Sequence, residues 1–102
     1  MTGAGKRLFA VLRSRGPAWD RALPMEQQAD WRRHADFMNG LAADGFVVLV
    51  GPLEGTNDVL LIARARDADE IKLRLAEDCW VTAGHLVTKW IAPWTLRIGS
   101  LG

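Results

Sequence analysis

Apolar runs alternate with charged or turn-forming stretches along this chain, and the spacing of the apolar positions changes from one stretch to the next. Lys6–Arg13 is an apolar run bounded by charges and predicts a strand. Ser14–Pro24 carries Gly16-Pro17, Asp20 and Pro24, and reads as a long connecting loop. Proline suits the first residue of a helix, where its missing N–H would be unpaired anyway, so a helix is expected over Met25–Asp44, ended by Gly45. Phe46–Val50 and Val59–Arg66 are apolar and rich in β-branched residues. With Gly51-Pro52 and the turn residues Glu54–Asn57 between them, they predict a hairpin. Asp69–Asp78 predicts a short second helix. Leu86–Ile98 predicts a last strand, in which Pro93 marks an edge, a bulge or a break.

The order β-α-β-β-α-β is the split βαβ plan of ferredoxin-like α+β domains, a four-stranded antiparallel sheet with both helices on one face. The other face of such a sheet is ordinarily wet, which requires alternating apolar and polar residues. Phe46-Val-Val-Leu-Val and Val59-Leu-Leu-Ile-Ala are instead apolar on both sides of the pleat. Two helices cover only one face. The economical cover for the second is another copy of the same sheet, which predicts a homodimer of the dimeric α+β barrel type.

Composition narrows the functional classes. The 102 residues suit a single domain, 1–102, and 49% apolar with 25% charged residues is ordinary for a folded one. A net charge of +1 gives no electrostatic case for nucleic acid or an anionic membrane, and no apolar run approaches membrane-spanning length. The five-residue run Leu8–Leu12 is too short for a signal-peptide core, so the expected location is the cytoplasm. A single cysteine, Cys79, excludes an internal disulfide. Five tryptophans and no tyrosine are unusual for so short a chain, and large rings filling a small core explain most of them.

At about 100° per residue, the first helix turns Trp31, His34, Ala35, Phe37, Met38, Leu41 and Ala42 to one side. His34 therefore points toward the sheet, either as a core histidine bonded to a carbonyl or as a functional one. On the second helix, Ile71, Arg74, Leu75 and Asp78 recur at i, i+3, i+4 and i+7. A carboxylate near apolar surface and at a helix C-terminus breaks two local rules. Such residues concentrate at functional or compensated sites. A contact with Asp78 would fix the tautomer of His34 and make it a general base, while a cap or an ion pair with Arg74 is the structural alternative for Asp78. Arg13 and Arg15, at the end of the first strand, read as solvated loop charges or as steering groups for an anion. His85 reads as a turn or surface residue. Cys79 and the two histidines lack zinc-ligand spacing, so no metal site and no cofactor are expected. Gly3-Ala-Gly-Lys6 imitates a fragment of a phosphate loop but lacks the preceding strand and following helix.

Several segments in order resemble the YCII-related (YciI-like) family: Arg15-Gly-Pro-Ala-Trp-Asp20, Trp31-Arg-Arg-His-Ala-Asp-Phe-Met38, Asp44-Gly-Phe-Val-Val-Leu-Val-Gly-Pro-Leu53, Asp78-Cys-Trp-Val-Thr-Ala-Gly84 and Ile91-Ala-Pro-Trp94. The resemblance spans about residues 6–98. It implies the dimeric α+β barrel and a small-molecule pocket with a catalytic dyad at the positions of His34 and Asp78. It also implies a loop residue covering that pocket, here Trp19. Arg15, Met38 and Trp80 join Trp19 as candidate substrate contacts. Cys79 stands where the family commonly has proline, which leaves the turn aiming Asp78 without that ring's restraint. Some members resemble lyases that eliminate a leaving group from a ring substrate. The expected activity is therefore cofactor-independent acid/base chemistry, lyase or isomerase, on a small ring compound. The alternatives are a non-catalytic binding or accessory protein and, by fold analogy alone, a cofactor-free monooxygenase.

Overall fold

A computed structural model describes residues 5–101. Its strands are β1 (Arg7–Arg15), β2 (Val47–Pro52), β3 (Asp58–Ala65) and β4 (Leu86–Pro93), and its helices α1 (Trp31–Ala43), α2 (Ala68–Leu75) and α3 (Cys79–Thr82). The strands form one antiparallel sheet in the order β2-β3-β1-β4, an α+β arrangement compatible with the ferredoxin-like plan. Residues 1–4, including the first half of the phosphate-loop look-alike, lie outside the described residues.

Register separates the two faces of the sheet, because directly opposed residues point the same way. Val11 opposes Leu61 on β3 and Ile91 on β4, and Phe9 opposes Ala63. These residues pack with Leu41 of α1 and with Ile71 and Leu75 of α2, so this is the helix-covered face. Arg13, two residues beyond Val11, follows the same parity and lies under the helices. The other face carries Leu12, Leu60 and Trp90 in one row, with Ile62 and Leu49 in the next. Leu49, Val87 and Trp90 stand exposed there at 55%, 47% and 47%. Register shifts between Val47 and Leu49, and between Leu12 and Arg13 against β4, let each strand place bulky residues on both faces.

Three expected elements are corrected. The helix expected over Met25–Asp44 is divided: Met25–Gln27 forms a 3-10 turn, Asp30 is left-handed at φ 60°, and α1 begins at Trp31. Side-chain bonds hold the chain before α1 in another path. Gln28 accepts from the Asp20 N–H (2.9 Å) and donates to the carbonyls of Asp20 (2.7 Å) and Leu23 (2.9 Å), while the Trp80 indole donates to the Ala29 carbonyl (2.7 Å). The second helix stops at Leu75, and a separate short helix, α3, starts after Asp78. The last strand ends at Pro93 rather than Ile98, where the ladder loses a donor. The start of α2 follows its local chemistry: Asp67 accepts from the Glu70 N–H, and the Glu70 side chain accepts from the Arg66 N–H.

Candidate functional site

The C-terminal ends of β1 and β2 and the first residues of β3 and β4 meet under the N-terminal half of α1. Around them a cleft of about 290 Å³ opens. Its sheet side is formed by Arg13, Arg15, Val50, Val59 and Leu86, and its helix side by Trp31, His34, Ala35, Met38 and Asn39. Trp19 and Met25, from the connecting loop and its 3-10 turn, close a further wall with Trp80 of α3. Four residues on the apolar side of α1, Trp31, His34, Ala35 and Met38, thus line a cleft.

At the base of this cleft the two residues proposed as a dyad meet. His34 Nδ1 lies 2.8 Å from Asp78 Oδ2 and 3.0 Å from Oδ1. Asp78 is fully buried and spends its oxygens three ways. Besides His34 it accepts the Trp80 backbone N–H at 3.0 Å, capping α3, and it meets Arg13 Nη2 at 3.4 Å. Burial pushes the Asp78 carboxyl upward. The hydrogen bonds from His34 and from the Trp80 N–H, with the positive charges of His34 and Arg13, outweigh that and hold it below the usual carboxylate range. An ionised carboxylate can only accept, so the hydrogen of the contact sits on Nδ1 of His34. A neutral His34 ring then keeps its lone pair on Nε2.

The ring is also fixed by stacking. The His34 and Trp80 rings lie 3.8 Å apart and within 8° of parallel. Trp19 meets Trp80 edge-on at 5.4 Å, and Trp31 lies 5.7 Å from it. Trp31 and Trp80 thus both meet His34 and Trp19 backs Trp80, whereas Trp90 and Trp94 are exposed. Asp78 reaches this position by a route other than the expected one. It leaves α2 behind and caps α3, where unpaired N–H groups favour a carboxylate, and Arg74 pairs with Asp44 instead (2.7 Å). The cap to Trp80 restrains the turn that carries Cys79.

All six candidate site residues, His34, Asp78, Arg15, Trp19, Met38 and Trp80, fall in or directly behind this cleft. Trp19 lines the cleft and is itself 9% exposed. Its loop is tied to the start of β4: the Gly16 N–H donates to the His85 carbonyl and the Ala18 N–H to that of Gly84. A β-carbon at Gly16 would collide with the Gly84 carbonyl, which makes glycine obligatory at this crossing.

Two other readings change. Arg13 is no solvated loop charge; it is 1% exposed, and its Nε has no hydrogen-bond partner. Burial pushes its guanidinium down and Asp78 opposes that. The alternation Phe9, Val11, Arg13 was the available signal. His85 is buried against Trp80, their rings 5.6 Å apart and nearly parallel. Burial, helped by the Asp78 charge, pushes the Cys79 thiol up, which keeps it from acting as a thiolate. No protein-family model matches the chain, and no curated protein matches it. Among the described residues no helix is long and apolar enough to cross a membrane.

Proposed function

We propose that the protein is a cofactor-independent acid/base enzyme of YciI-like type, acting as a lyase or isomerase on a small ring compound, with His34 as the base and Asp78 as its orienting partner. The observation that carries this reading is the 2.8 Å contact from His34 Nδ1 to a buried, ionised carboxylate, made by a histidine that lines a cleft. The carboxylate holds the tautomer that leaves Nε2 basic, and it stabilises the imidazolium formed when Nε2 takes a proton. Nε2 would remove a proton from a carbon beside a carbonyl or phenol. The C–H electron pair then moves into the ring system. It either returns at another carbon, taking the same proton back from His34, or expels a leaving group that receives that proton. Stacking on Trp80 keeps the imidazole from rotating out of line between the two transfers.

One observation favours the non-catalytic alternative, a small-molecule binding or accessory protein: Asp78 also caps α3 and pairs with Arg13, so it has structural work whether or not His34 is a base. Deuterium exchange separates the two. A panel of small ring ketones, phenols and unsaturated ring acids is incubated with the protein in D2O, and uptake at carbon is followed by NMR. The acid/base reading expects uptake into at least one compound, lost in His34→Gln. Uptake no faster than in His34→Gln across the panel overturns it.

The second part of the proposal is a homodimer of the dimeric α+β barrel type. Leu12, Leu49, Leu60 and Trp90 form the apolar centre of the sheet face away from α1 and α2. A second copy related by a two-fold axis would bury the same patch on both sheets at once.

A further inference from the structure

The cleft walls carry an unbalanced charge. Their ionisable side chains are Arg13, Arg15 and His34, and no aspartate or glutamate lines the cleft. Asp78, the carboxylate at the base, is already shared among His34, the Trp80 N–H and Arg13. Arg13 is poorly served by it: one contact of 3.4 Å, and a buried Nε with no partner. A guanidinium taken almost wholly out of water with one donor, Nε, unfilled is costly, and such groups are normally completed by water or by a ligand. Arg15 lies at the same end of β1, half-buried, its guanidinium 4.6 Å from the centre of the Trp19 ring. It makes no salt bridge among the described residues. Leaving His34 aside, two guanidiniums face one carboxylate, a surplus of one positive charge.

We infer that the cleft selects a small planar monocarboxylate, whose carboxylate is taken by Arg13 and Arg15 and whose ring lies among Trp19, Trp31 and Trp80. This rests on the reading of the cleft as a small-molecule site and adds the chemical class of its ligand. Guanidinium forks match a planar carboxylate in geometry as well as charge. The volume stands at the small end of the usual range of about 300–1,000 Å³ for ligand cavities, which suits one ring and little more. A carboxylate held at the β1 end would also leave the rest of the ring facing His34.

Benzoate and benzamide share a shape and differ in charge, so they test the inference directly. Isothermal titration of the intact protein with each, at one pH and ionic strength, should show benzoate binding tighter by at least about ten-fold, the range of one charge-assisted hydrogen bond. Added salt should narrow the gap. Arg15→Gln, at a half-exposed position that tolerates the change, should remove most of the preference while leaving benzamide binding in place. Arg13→Gln should do the same if it folds, and circular dichroism reports whether it does. Parity between the two ligands, no binding of either at millimolar concentration, or a preference undiminished in Arg15→Gln overturns the inference. His34→Gln keeps this test apart from the catalytic one. The variant should retain the benzoate preference while losing deuterium exchange. Exchange activity in a protein that binds benzamide as well as benzoate would leave the acid/base reading standing and remove this one.

Discussion

Removing the Asp78 carboxylate should show how tightly the buried charges are coupled. In Asp78→Ala, Arg13 remains charged and buried without a partner, and the His34 Nδ1–H and the Trp80 N–H lose their acceptor. Breaking a buried ion pair from one side costs about 3–5 kcal/mol, and the lost hydrogen bonds fall within that figure because all three partners share the same two oxygens. A domain of this size holds about 5–15 kcal/mol in total, so the variant should stay folded with much of its margin gone. At about 4–8 °C per kcal/mol, the thermal midpoint should fall by roughly 12–40 °C. The sharper experiment is the pair with Arg13→Met. Methionine keeps length and apolar bulk but withdraws the stranded cation, so the double variant should regain about 1–3 kcal/mol over Asp78→Ala alone. Urea unfolding followed by far-ultraviolet circular dichroism, at one fixed protein concentration, gives the three differences. A double variant weaker than Asp78→Ala by the full cost of Arg13→Met would refute the coupling, and with it the account of why Arg13 is buried.

The depressed Asp78 carboxyl also makes part of the stability acid-sensitive. Its folded value lies below the unfolded one of about 3.9, so its contribution is complete above about pH 4 and is lost as pH falls further. Thermal midpoints from pH 5 downward should therefore drop more steeply in wild type than in Asp78→Asn, and parallel curves would count against the shift. Cys79→Pro should stabilise the protein by about 0.4–1 kcal/mol. Cys79 is the first residue of α3, and Asp78 before it is extended at φ −70° and ψ 128°, as a residue preceding proline must be; a lowered urea midpoint would contradict this. Sedimentation at micromolar concentration should give a dimer that Trp90→Glu converts to monomer. A wild-type monomer would leave the exposed face of the sheet unexplained.

The element order was legible because each apolar run has a period of its own, and strand boundaries fall within two residues of expectation except at Pro93. The failures share a cause. Pro24 and Gly45 mark out one long first helix, yet Gln28 and Trp80 draw the backbone of residues 20–29 into other hydrogen bonds. Nothing local to that segment announces a partner from α3, which lies 51 residues away. The short helix α3 escaped notice for the same reason: four residues are too few to show a period, and the cap that starts it was taken for the end of its predecessor.

His34 and Asp78 were legible as a pair because a carboxylate on an apolar face needs a partner, although the local reason given for Asp78 was the wrong one. At the end of α2 the carboxylate would oppose the helix dipole; at the start of α3 it satisfies an N–H and sits well. What remains unusual is that a capping residue, normally half in water, is wholly buried and 44 residues in sequence from the histidine it holds. Arg13 explains that burial. Its parity with Phe9 and Val11 carries it under the helices, and a cation there requires an anion within reach. Asp78 supplies one charge, which His34 also draws upon, and Arg13 and Arg15 both line the cleft. The same alternation that builds the core strand therefore sets the charge of the site.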